Sequence, residues 1–297
     1  MMIELSGLSK SFGVVRAVDG LSFGVRAGTV TGFLGPNGSG KTTTLRMLLG
    51  LVRPTSGRAL IGGRGYAELE HPVRTVGAAL DAEGFHPART ARDHLRMFCR
   101  AAELPMSRVG AVLELTGLTG PADRRVDTFS LGMRQRLSLA TALLGDPRVL
   151  ILDEPANGLD PEGIRWLREL LRHLAGNGCA VLMSSHVLTE VERTVDHVVL
   201  VHRGRLVKDA PLSELTGGGE QRVRTEHPGE LARALESAGG IVRREPDHLV
   251  VSGMAPAAIG RAALDARAVL IELTEEKSDL ESLFLDLTVA AAEAVRP

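Results

Sequence analysis

Cysteine and aromatic residues are scarce in this 297-residue chain, which has two cysteines, one tryptophan and one tyrosine. Cys99 and Cys179 stand far apart and form no C-x-x-C pair. The sequence therefore offers neither a disulfide framework nor a zinc-binding cysteine cluster. Two isolated cysteines fit a reduced, cytosolic setting.

Long uncharged apolar runs are also missing, although 44% of the residues are hydrophobic. A membrane-spanning helix needs about 18 or more consecutive apolar residues, and no run approaches that length. The first residues, MMIELSGLSKSFG, lack the basic stretch and apolar core of a signal peptide. If the protein works at a membrane, we expect a second chain to cross it.

Charge of one sign is not in excess, because the formal net charge is −1. That balance argues against a general nucleic-acid binder, so we expect no nucleic-acid partner. The charge is uneven along the chain: residues 1–219 carry 26 basic and 22 acidic residues, and residues 220–297 carry 9 and 14. This difference suggests two parts of different character.

Hydropathy along the chain predicts an α/β fold. Residues 1–30 alternate in the manner of antiparallel strands, and the later apolar runs TVTGFLG, RVLILDEP and CAVLMSSH alternate with helical patterns. Buried strands alternating with helices predict a mostly parallel sheet covered by helices. Residues 90–145 are helical in pattern and predict a separate helical subdomain.

A second, smaller domain is predicted beyond a glycine-rich linker at residues 217–221. The first domain then covers residues 1–216 and the second covers residues 222–297. The order strand, helix, two strands, helix, strand and a last helix predicts an α+β module of roughly ferredoxin-like order.

The segment GPNGSGKT matches the phosphate-loop pattern G-x-x-x-x-G-K-[ST] between a predicted strand and a predicted helix. Glycines let the backbone N–H groups curl around a phosphate chain. We expect Lys41 to reach the β- and γ-phosphates of a nucleotide, Thr42 to bind Mg²⁺, and Thr43 to lie near the α-phosphate. The predicted loop residues are Gly35, Pro36, Asn37, Gly38, Ser39, Gly40, Lys41 and Thr42.

Two adjacent carboxylates, Asp153 and Glu154, end the apolar run VLILDEP. If they continue the strand, their side chains point in different directions. Asp153 then suits the Mg²⁺ shell, and Glu154 suits a general base or a group that orients the attacking water. A second anion-seeking helix start is predicted at FSLGMRQR, because free N–H groups and the positive dipole end point the same way.

Taken together, these motifs resemble the ATP-binding subunit of an ABC transporter: the phosphate loop, FSLGMRQR, LILDEP, NGLD and the SSH that ends at His186. The resemblance implies a RecA-like P-loop NTPase core with an antiparallel β subdomain and a helical subdomain. It also implies ATP and Mg²⁺ as ligands, a homodimer, a separate integral membrane permease and a location at the cytoplasmic face of the membrane. The tail segment SDLESLFLDLT, residues 278–288, is similar to drug exporters of the daunorubicin-resistance type.

The resemblance also assigns roles to single residues. Ser130 and Gly132 would hold the γ-phosphate of ATP bound to the other chain, although Leu131 and Met133 depart from the family's Ser-Gly-Gly-Gln. His186 would contact the γ-phosphate. Asp160 would link the site to the opposite cassette, cap the next helix, or do both. Phe12 would stack on adenine.

The family's glutamine after the strand RTVGAAL is replaced by Asp81. Asp81 either still binds Mg²⁺ and supports catalysis, or it is a surface acid and the contact is missing. Residues 82–90, with Phe85 and His86, would form the groove for the membrane partner. Other ATPases with this cassette, in DNA repair, chromosome maintenance or the ribosome, remain the alternative. A small-molecule kinase would leave FSLGMRQR and NGLD unexplained.

Overall fold

The computed structural model describes residues 1–80, 84–187, 191–216 and 220–275, which divide into two compact units. The first unit covers Met1–Ala210, and the second begins at Pro211. In chain order, the first unit contains β1 (Ile3–Phe12), β2 (Val15–Val25), β3 (Val30–Leu34), α1 (Lys41–Leu48), β4 (Ser56–Ile61), α2 (Pro72–Thr75), β5 (Val76–Ala79), α3 (Ala91–Ala101), α4 (Ser107–Leu115), α5 (Leu131–Ala142), β6 (Val149–Leu152), α6 (Pro161–Gly176), β7 (Ala180–Ser185), β8 (His197–His202) and β9 (Arg205–Pro211).

The main sheet of the first unit has the strand order β5-β6-β7-β3-β8-β9, and its pairs from β5 to β8 are parallel. Every residue of β3, β6 and β7 is buried. Strands of a parallel sheet that are covered on both faces have continuous apolar sequences. The predicted parallel sheet is therefore confirmed.

A second sheet is antiparallel with the order β2-β1-β4; β1 and β2 come before β3 in the chain, and β4 follows α1. Ile3 and Leu5 of β1 alternate with exposed or half-exposed polar residues, as expected for strands with one buried face. Both side chains belong to the same apolar core as Phe33 of β3. The antiparallel sheet therefore packs on the main sheet through a shared core.

Residues 91–142, all of which the structure describes, contain helices and no strand. Thr90 caps α3 by accepting a hydrogen bond from the Asp93 N–H, and Ser130 caps α5 through the Met133 N–H. α6 starts at Pro161 after its cap Asp160, and its buried leucines recur at helical spacing. Residues 91–142 therefore carry α3, α4 and α5, and the separate helical subdomain at residues 90–145 stays a prediction.

The second unit contains α7 (Leu212–Thr216), β10 (Gln221–Thr225), α8 (Pro228–Ser237), β11 (Ile241–Arg244), β12 (Leu249–Ser252), α9 (Pro256–Asp265) and β13 (Leu270–Glu275). Its sheet is antiparallel with the order β11-β12-β10-β13. Val223, Leu249, Leu231 and Ile259 form a separate buried cluster. From β10 to β13 the elements follow the predicted order.

The predicted boundary between the two parts differs from the structure in detail. The units divide between Ala210 and Pro211, so that α7 groups with the second unit. Gln221, expected in the linker, is buried and pairs with Val251 and Glu275 in β10. Residues 217–219 of the linker and the predicted last helix lie outside the described residues.

Candidate nucleotide-binding site

Three neighbouring strands end at one edge of the main sheet and carry the predicted phosphate-binding residues. The order β6-β7-β3 places the segments that follow β6, β7 and β3 side by side. β3 leads into the phosphate loop, β6 into Asp153 and Glu154, and β7 into His186. The carboxyl ends of parallel strands are where open α/β sheets bind ligands.

The phosphate loop curls between β3 and α1 through residues in the left-handed region. Gly38 has φ 80° and Gly40 has φ 98°. A Cβ on Gly40 would collide with the carbonyl oxygen of Ala17, so this position requires glycine. The turn directs the first N–H groups of α1 along one direction, which is the arrangement that binds phosphate.

Lys41 starts α1 and is almost completely buried. Its ammonium group donates to the Gly35 carbonyl oxygen at 2.6 Å and lies 3.5 Å from Oε1 of Glu154. The Ser39 hydroxyl is buried in the same loop and has no hydrogen-bond partner in the described protein. A buried hydroxyl without a partner is costly, so the loop suits a polar ligand that supplies one.

Asp153 is held by two hydroxyl groups. Thr42 donates to Oδ2 at 2.6 Å, and Ser184 of β7 donates to Oδ1. Ser184 also accepts a hydrogen bond from the Glu154 N–H at 2.9 Å. A carboxylate oxygen and a hydroxyl oxygen side by side are ligands that suit Mg²⁺, which retains several waters and phosphate oxygens in such sites.

Ser184 belongs to the SSH motif, but the sequence patterns assign it no role. It is fully buried near the end of an apolar strand, and it joins Asp153 to the backbone of Glu154. A polar residue in an otherwise apolar strand was the available signal.

Glu154 and Asp153 have different side-chain partners, although the two are neighbours in sequence. β6 ends at Leu152, and Glu154 has the left-handed φ of 48° that non-glycine residues seldom adopt. Since β6 ends before both residues, strand alternation does not set the directions of the two carboxylates, and their separate roles stay predictions. Unusual backbone conformations of this kind are typical of functional sites.

His186 completes the cluster around Glu154. Its Nδ1 lies 2.8 Å from Glu154 Oε2, and its side chain is 39% exposed, against 20% for Glu154. Since an ionised carboxylate can only accept, Nδ1–H is the donor. Glu154 is therefore positioned between the imidazole of His186 and the ammonium group of Lys41.

The second predicted helix start forms a separate cluster. Ser130 caps α5, and a Cβ on Gly132 would lie 3.1 Å from the Gly158 carbonyl oxygen. Asp160 caps α6 through the Gly163 N–H at 2.8 Å, as its capping role predicts. Across the described residues, no hydrogen bond or ion pair joins Ser130, Gly132 or Asp160 to residues 35–43 of the same chain.

Phe12 stands outside both clusters. Phe12 is 52% exposed at the turn between β1 and β2, and Lys10 Nζ lies 4.9 Å from its ring centroid. One aromatic ring is thus exposed to solvent, as base stacking requires. Asp81 lies outside the described residues, so its predicted roles stay predictions.

A surface pocket of about 200 Å³ lies in the region expected to dock the membrane partner. Phe85 lines the pocket, and its ring meets His94 of α3 edge-on, with 5.0 Å between ring centroids. Burial, and then the nearby Arg89 cation, lower the pKa of His94 to about 4. His94 is therefore a neutral, buried ring in this region. His86, also expected here, is not among the pocket's lining residues. The lining residues are Phe85, Pro87, Val126, Asp127 and Arg134.

No group of three or more histidine, cysteine or acidic side chains in the described ranges is arranged to hold a metal ion. No helix in the same ranges combines the length and the apolar character needed to cross a bilayer.

Family models match both parts of the chain. A model described as "ABC transporter" matches residues 18–157, and a model described as "Domain of unknown function (DUF8746)" matches residues 220–281. The first match contains the phosphate loop, Ser130, Asp153 and Glu154.

Three of the curated relatives match at 35–42% identity. The bacitracin transport ATP-binding protein BcrA of Bacillus licheniformis is 42% identical over 217 residues, 72% of this chain and 71% of the relative. The uncharacterized ABC transporter ATP-binding protein YhcH of Bacillus subtilis (strain 168) is 35% identical over 303 residues, 99% and 98% of the two chains. The Nod factor export ATP-binding protein I of Ralstonia nicotianae is 39% identical over 219 residues, 72% and 68%.

Solved structures match about 70% of this chain, a length similar to that of the first unit. One described as "Structure of ATP binding subunit of ABC transporter" superposes with a TM-score of 0.66 at 28% identity, covering 72% of this chain and 92% of that one. One described as "Dimeric Structure of MJ0796, a Bacterial ABC Transporter Cassette" gives a TM-score of 0.66 at 21% identity, with 71% and 99% coverage. At that lower identity the match supports the fold alone.

Proposed function

Since this chain belongs to the ABC transporter family of ATP-binding subunits, we propose that it hydrolyses ATP to drive a separate membrane permease. The observation that carries the proposal is the position of Glu154, between Lys41 at 3.5 Å and His186 at 2.8 Å, beside the phosphate loop. The names of two relatives, bacitracin transport and Nod factor export, support export of a drug-like or lipophilic compound. The protein then works at the cytoplasmic face of the membrane, where its permease holds it.

The chain's own groups supply the ATP-binding half of the mechanism. The N–H groups of the phosphate loop and the Lys41 ammonium bind the β- and γ-phosphates, which places the γ-phosphorus next to Glu154. Thr42 and Asp153 hold Mg²⁺, which supplies positive charge that offsets the charge on the phosphate oxygens. Phe12 provides the exposed ring for the adenine base.

The hydrolytic step needs one water and one proton acceptor. Glu154 orients the water and takes its proton as the oxygen bonds to the γ-phosphorus, and the bond from that phosphorus to the bridging oxygen breaks. The products are ADP and inorganic phosphate. His186 donates to Glu154 and fixes the direction of the carboxylate, and its exposed edge is available to the γ-phosphate.

The second cluster supports a dimeric enzyme. Ser130 and Gly132 present a helix start that suits an anion, but no contact joins them to their own phosphate loop within the described residues. Two chains packed head to tail would bring each helix start to the γ-phosphate of the opposite ATP. The site is then complete only when two chains meet.

The lengths of the helices disfavour the DNA-repair and chromosome ATPases. Those proteins carry long coiled coils before the second motif, whereas α3 and α4 have 11 and 9 residues. A coiled coil needs several heptads on one continuous helix. We therefore favour a transport ATPase.

The proposal is tested with purified chain and Glu154→Gln, with Glu169→Gln as a matched control on the exposed face of α6. We expect the wild type to hydrolyse ATP with a rate per chain that rises with protein concentration. Glu154→Gln should lose hydrolysis and form a dimer with ATP in light scattering, while Glu169→Gln behaves like the wild type. A wild-type chain that does not hydrolyse ATP, or a Glu154→Gln chain that stays monomeric at saturating ATP, would contradict the proposal.

The link to transport has its own test. Expressed with its permease, the chain should be recovered with the membrane fraction and should be released by Phe85→Asp. The wild type and a control at an exposed apolar site, Leu264→Asp on α9, should stay bound. If the membrane fraction contains equal amounts of the two variants, Phe85 does not contribute to the contact with the permease.

A further inference from the structure

Two contacts join α5 to α6 and to the loop that precedes α6. α5 carries Ser130 and Gly132 at its start, and the loop Asn157–Asp160 leads into α6. At the first contact, the Leu131 side chain rests on the backbone of Gly158, so that a Cβ on Gly158 would collide with Leu131 Cδ2. Gly158 has φ 76°, a conformation that itself favours glycine.

The second contact lies farther along the same two helices. The Arg136 guanidinium of α5 stacks on the Trp166 ring of α6, with 4.0 Å between its central carbon and the ring centroid. Arg136 Nη1 also donates to the Thr116 carbonyl oxygen, the C-cap of α4, at 3.1 Å. A Cβ on Gly117 would lie only 3.0 Å from that nitrogen. Arg136 therefore connects three helices.

The distance between the two contacts determines how firmly they orient the first turn of α5. Leu131 and Arg136 are five residues apart, about 7.5 Å along a helix. The buried side chains of α5, among them Leu137 and Leu139, already anchor its later turns. The two contacts add a fixed position and direction of its first turn relative to α6. That turn presents Ser130 and Gly132, and the loop at the first contact presents Asp160.

We propose that Arg136 and Trp166 are a positioning pair that keeps the Ser130 helix start in register with Asp160, so that both meet the partner chain together. This inference rests on the proposed function. Neither side chain touches the phosphate loop or the Glu154 cluster in the described contacts. The pair acts through the helix start that it orients, and we do not assign it a chemical role.

The stack can be observed directly, because Trp166 is the only tryptophan in the chain. In the Glu154→Gln background, ATP should leave the Trp166 emission maximum unchanged, since the stack persists when two chains close. Arg136→Met in the same background should shift the emission towards that of a solvated indole. An Arg136→Met spectrum identical to that of the parent would show that no stack forms in solution.

Function is tested with Trp166→Phe, Trp166→Leu, Arg136→Met and the double variant Arg136→Met/Trp166→Leu. Phe keeps an aromatic face for the cation, so we expect Trp166→Phe to stay within about 2-fold of the wild-type kcat. Trp166→Leu and Arg136→Met should each lower kcat about 10-fold. The double variant should lose no more than Arg136→Met alone, because each change removes the same stack and Arg136→Met already removes the hydrogen bond to Thr116. ADP affinity of the single chain should stay within about 2-fold, since the phosphate loop is untouched.

The controls separate this inference from the proposed function. If parent Glu154→Gln dimerises with ATP and adding Arg136→Met raises the required protein concentration about 10-fold, the pair positions the helix start. Three results would overturn the role of the Arg136–Trp166 pair but leave the proposed function standing. They are equal dimerisation of the two chains, a loss of kcat as large in Trp166→Phe as in Trp166→Leu, and a loss in the double variant that is the product of the single losses. A parent that never dimerises would overturn the proposed function. If Trp166→Leu loses ADP binding, the substitution has disturbed the fold of the chain. The role of the pair is then judged from Arg136→Met.

Discussion

His186 donates from Nδ1 to Glu154 Oε2 across 2.8 Å, which joins the end of β7 to the turn after β6. The same carboxylate lies 3.5 Å from Lys41 through its other oxygen. Glu154 thus has a cation on one side and an imidazole on the other. Each oxygen of the Glu154 carboxylate therefore has a partner that orients it before the attacking water binds.

Replacing His186 should therefore reduce turnover more than binding. His186→Ala should lower kcat about 10- to 100-fold with little change in KM for ATP, because the imidazole orients a catalytic group. Steady-state kinetics measure both values. His173→Ala, which removes an exposed histidine from α6, is the matched control and should leave both values unchanged.

Replacing the Thr42 hydroxyl should raise the need for Mg²⁺. Thr42→Val removes the donor that lies 2.6 Å from Asp153 and a predicted Mg²⁺ ligand, so half-maximal hydrolysis should require about 10-fold more Mg²⁺. Thr75→Val, whose hydroxyl donates to the His71 carbonyl oxygen outside the site, is the isosteric control. Identical Mg²⁺ titrations for Thr42→Val and the wild type would contradict the role of Thr42.

The buried ring of His94 should make the fold sensitive to acid. Its pKa is about 4 in the folded chain and about 6.5 when unfolded, so the unfolded chain binds the extra proton first as the pH falls through that range. The free energy of unfolding should fall by roughly 1–2 kcal/mol between pH 7 and pH 5 because of this one group. Urea unfolding at several pH values measures the slope.

His94→Phe removes the titrating group from the space between Phe85 and Phe98 and should flatten that slope. His173→Phe, at an exposed site, should keep the wild-type slope. A His94→Phe slope equal to that of the wild type would show that His94 is protonated as easily in the folded chain as in the unfolded one.

Gly158→Ala should destabilise the first unit through two effects. A side chain at φ 76° is strained, and its Cβ would collide with Leu131. We expect a loss of about 1–2 kcal/mol in the free energy of unfolding. Adding Leu131→Ala should recover the part that comes from the collision, so a double variant no more stable than Gly158→Ala alone would show that Leu131 does not contact Gly158.

Sequence patterns predicted the main sheet and the phosphate-binding residues because each depends on local order. Apolar runs identify buried strands, and Gly38, Gly40 and Lys41 occur at the spacing that a phosphate loop needs. The strands and helices of both units agree with those patterns in the described residues. The roles of Ser130, Gly132, Asp160 and Phe12 stay predictions, since they depend on ligands and a second chain.

Contacts between distant segments could not be predicted in this way. Ser184 reaches Asp153 only because β7 lies beside β6, and Arg136 reaches Trp166 only because α5 and α6 pack together. The turn at Glu154 was also missed, because its left-handed φ follows from tertiary contacts and not from a glycine or asparagine signal. A contact between two residues that are distant in sequence leaves no periodic pattern in the sequence.

The strand order has a consequence for synthesis on the ribosome. β3 carries the phosphate loop, but its two neighbours, β7 and β8, are made about 150 residues later. β8 ends only at His202, and until roughly residue 185 has left the exit tunnel β3 has no partner on either side. Non-local pairing of this kind forms slowly. A nascent chain halted before that point would carry the complete phosphate-loop sequence without a phosphate-binding site, so nucleotide cannot act as a template for the early stages of folding.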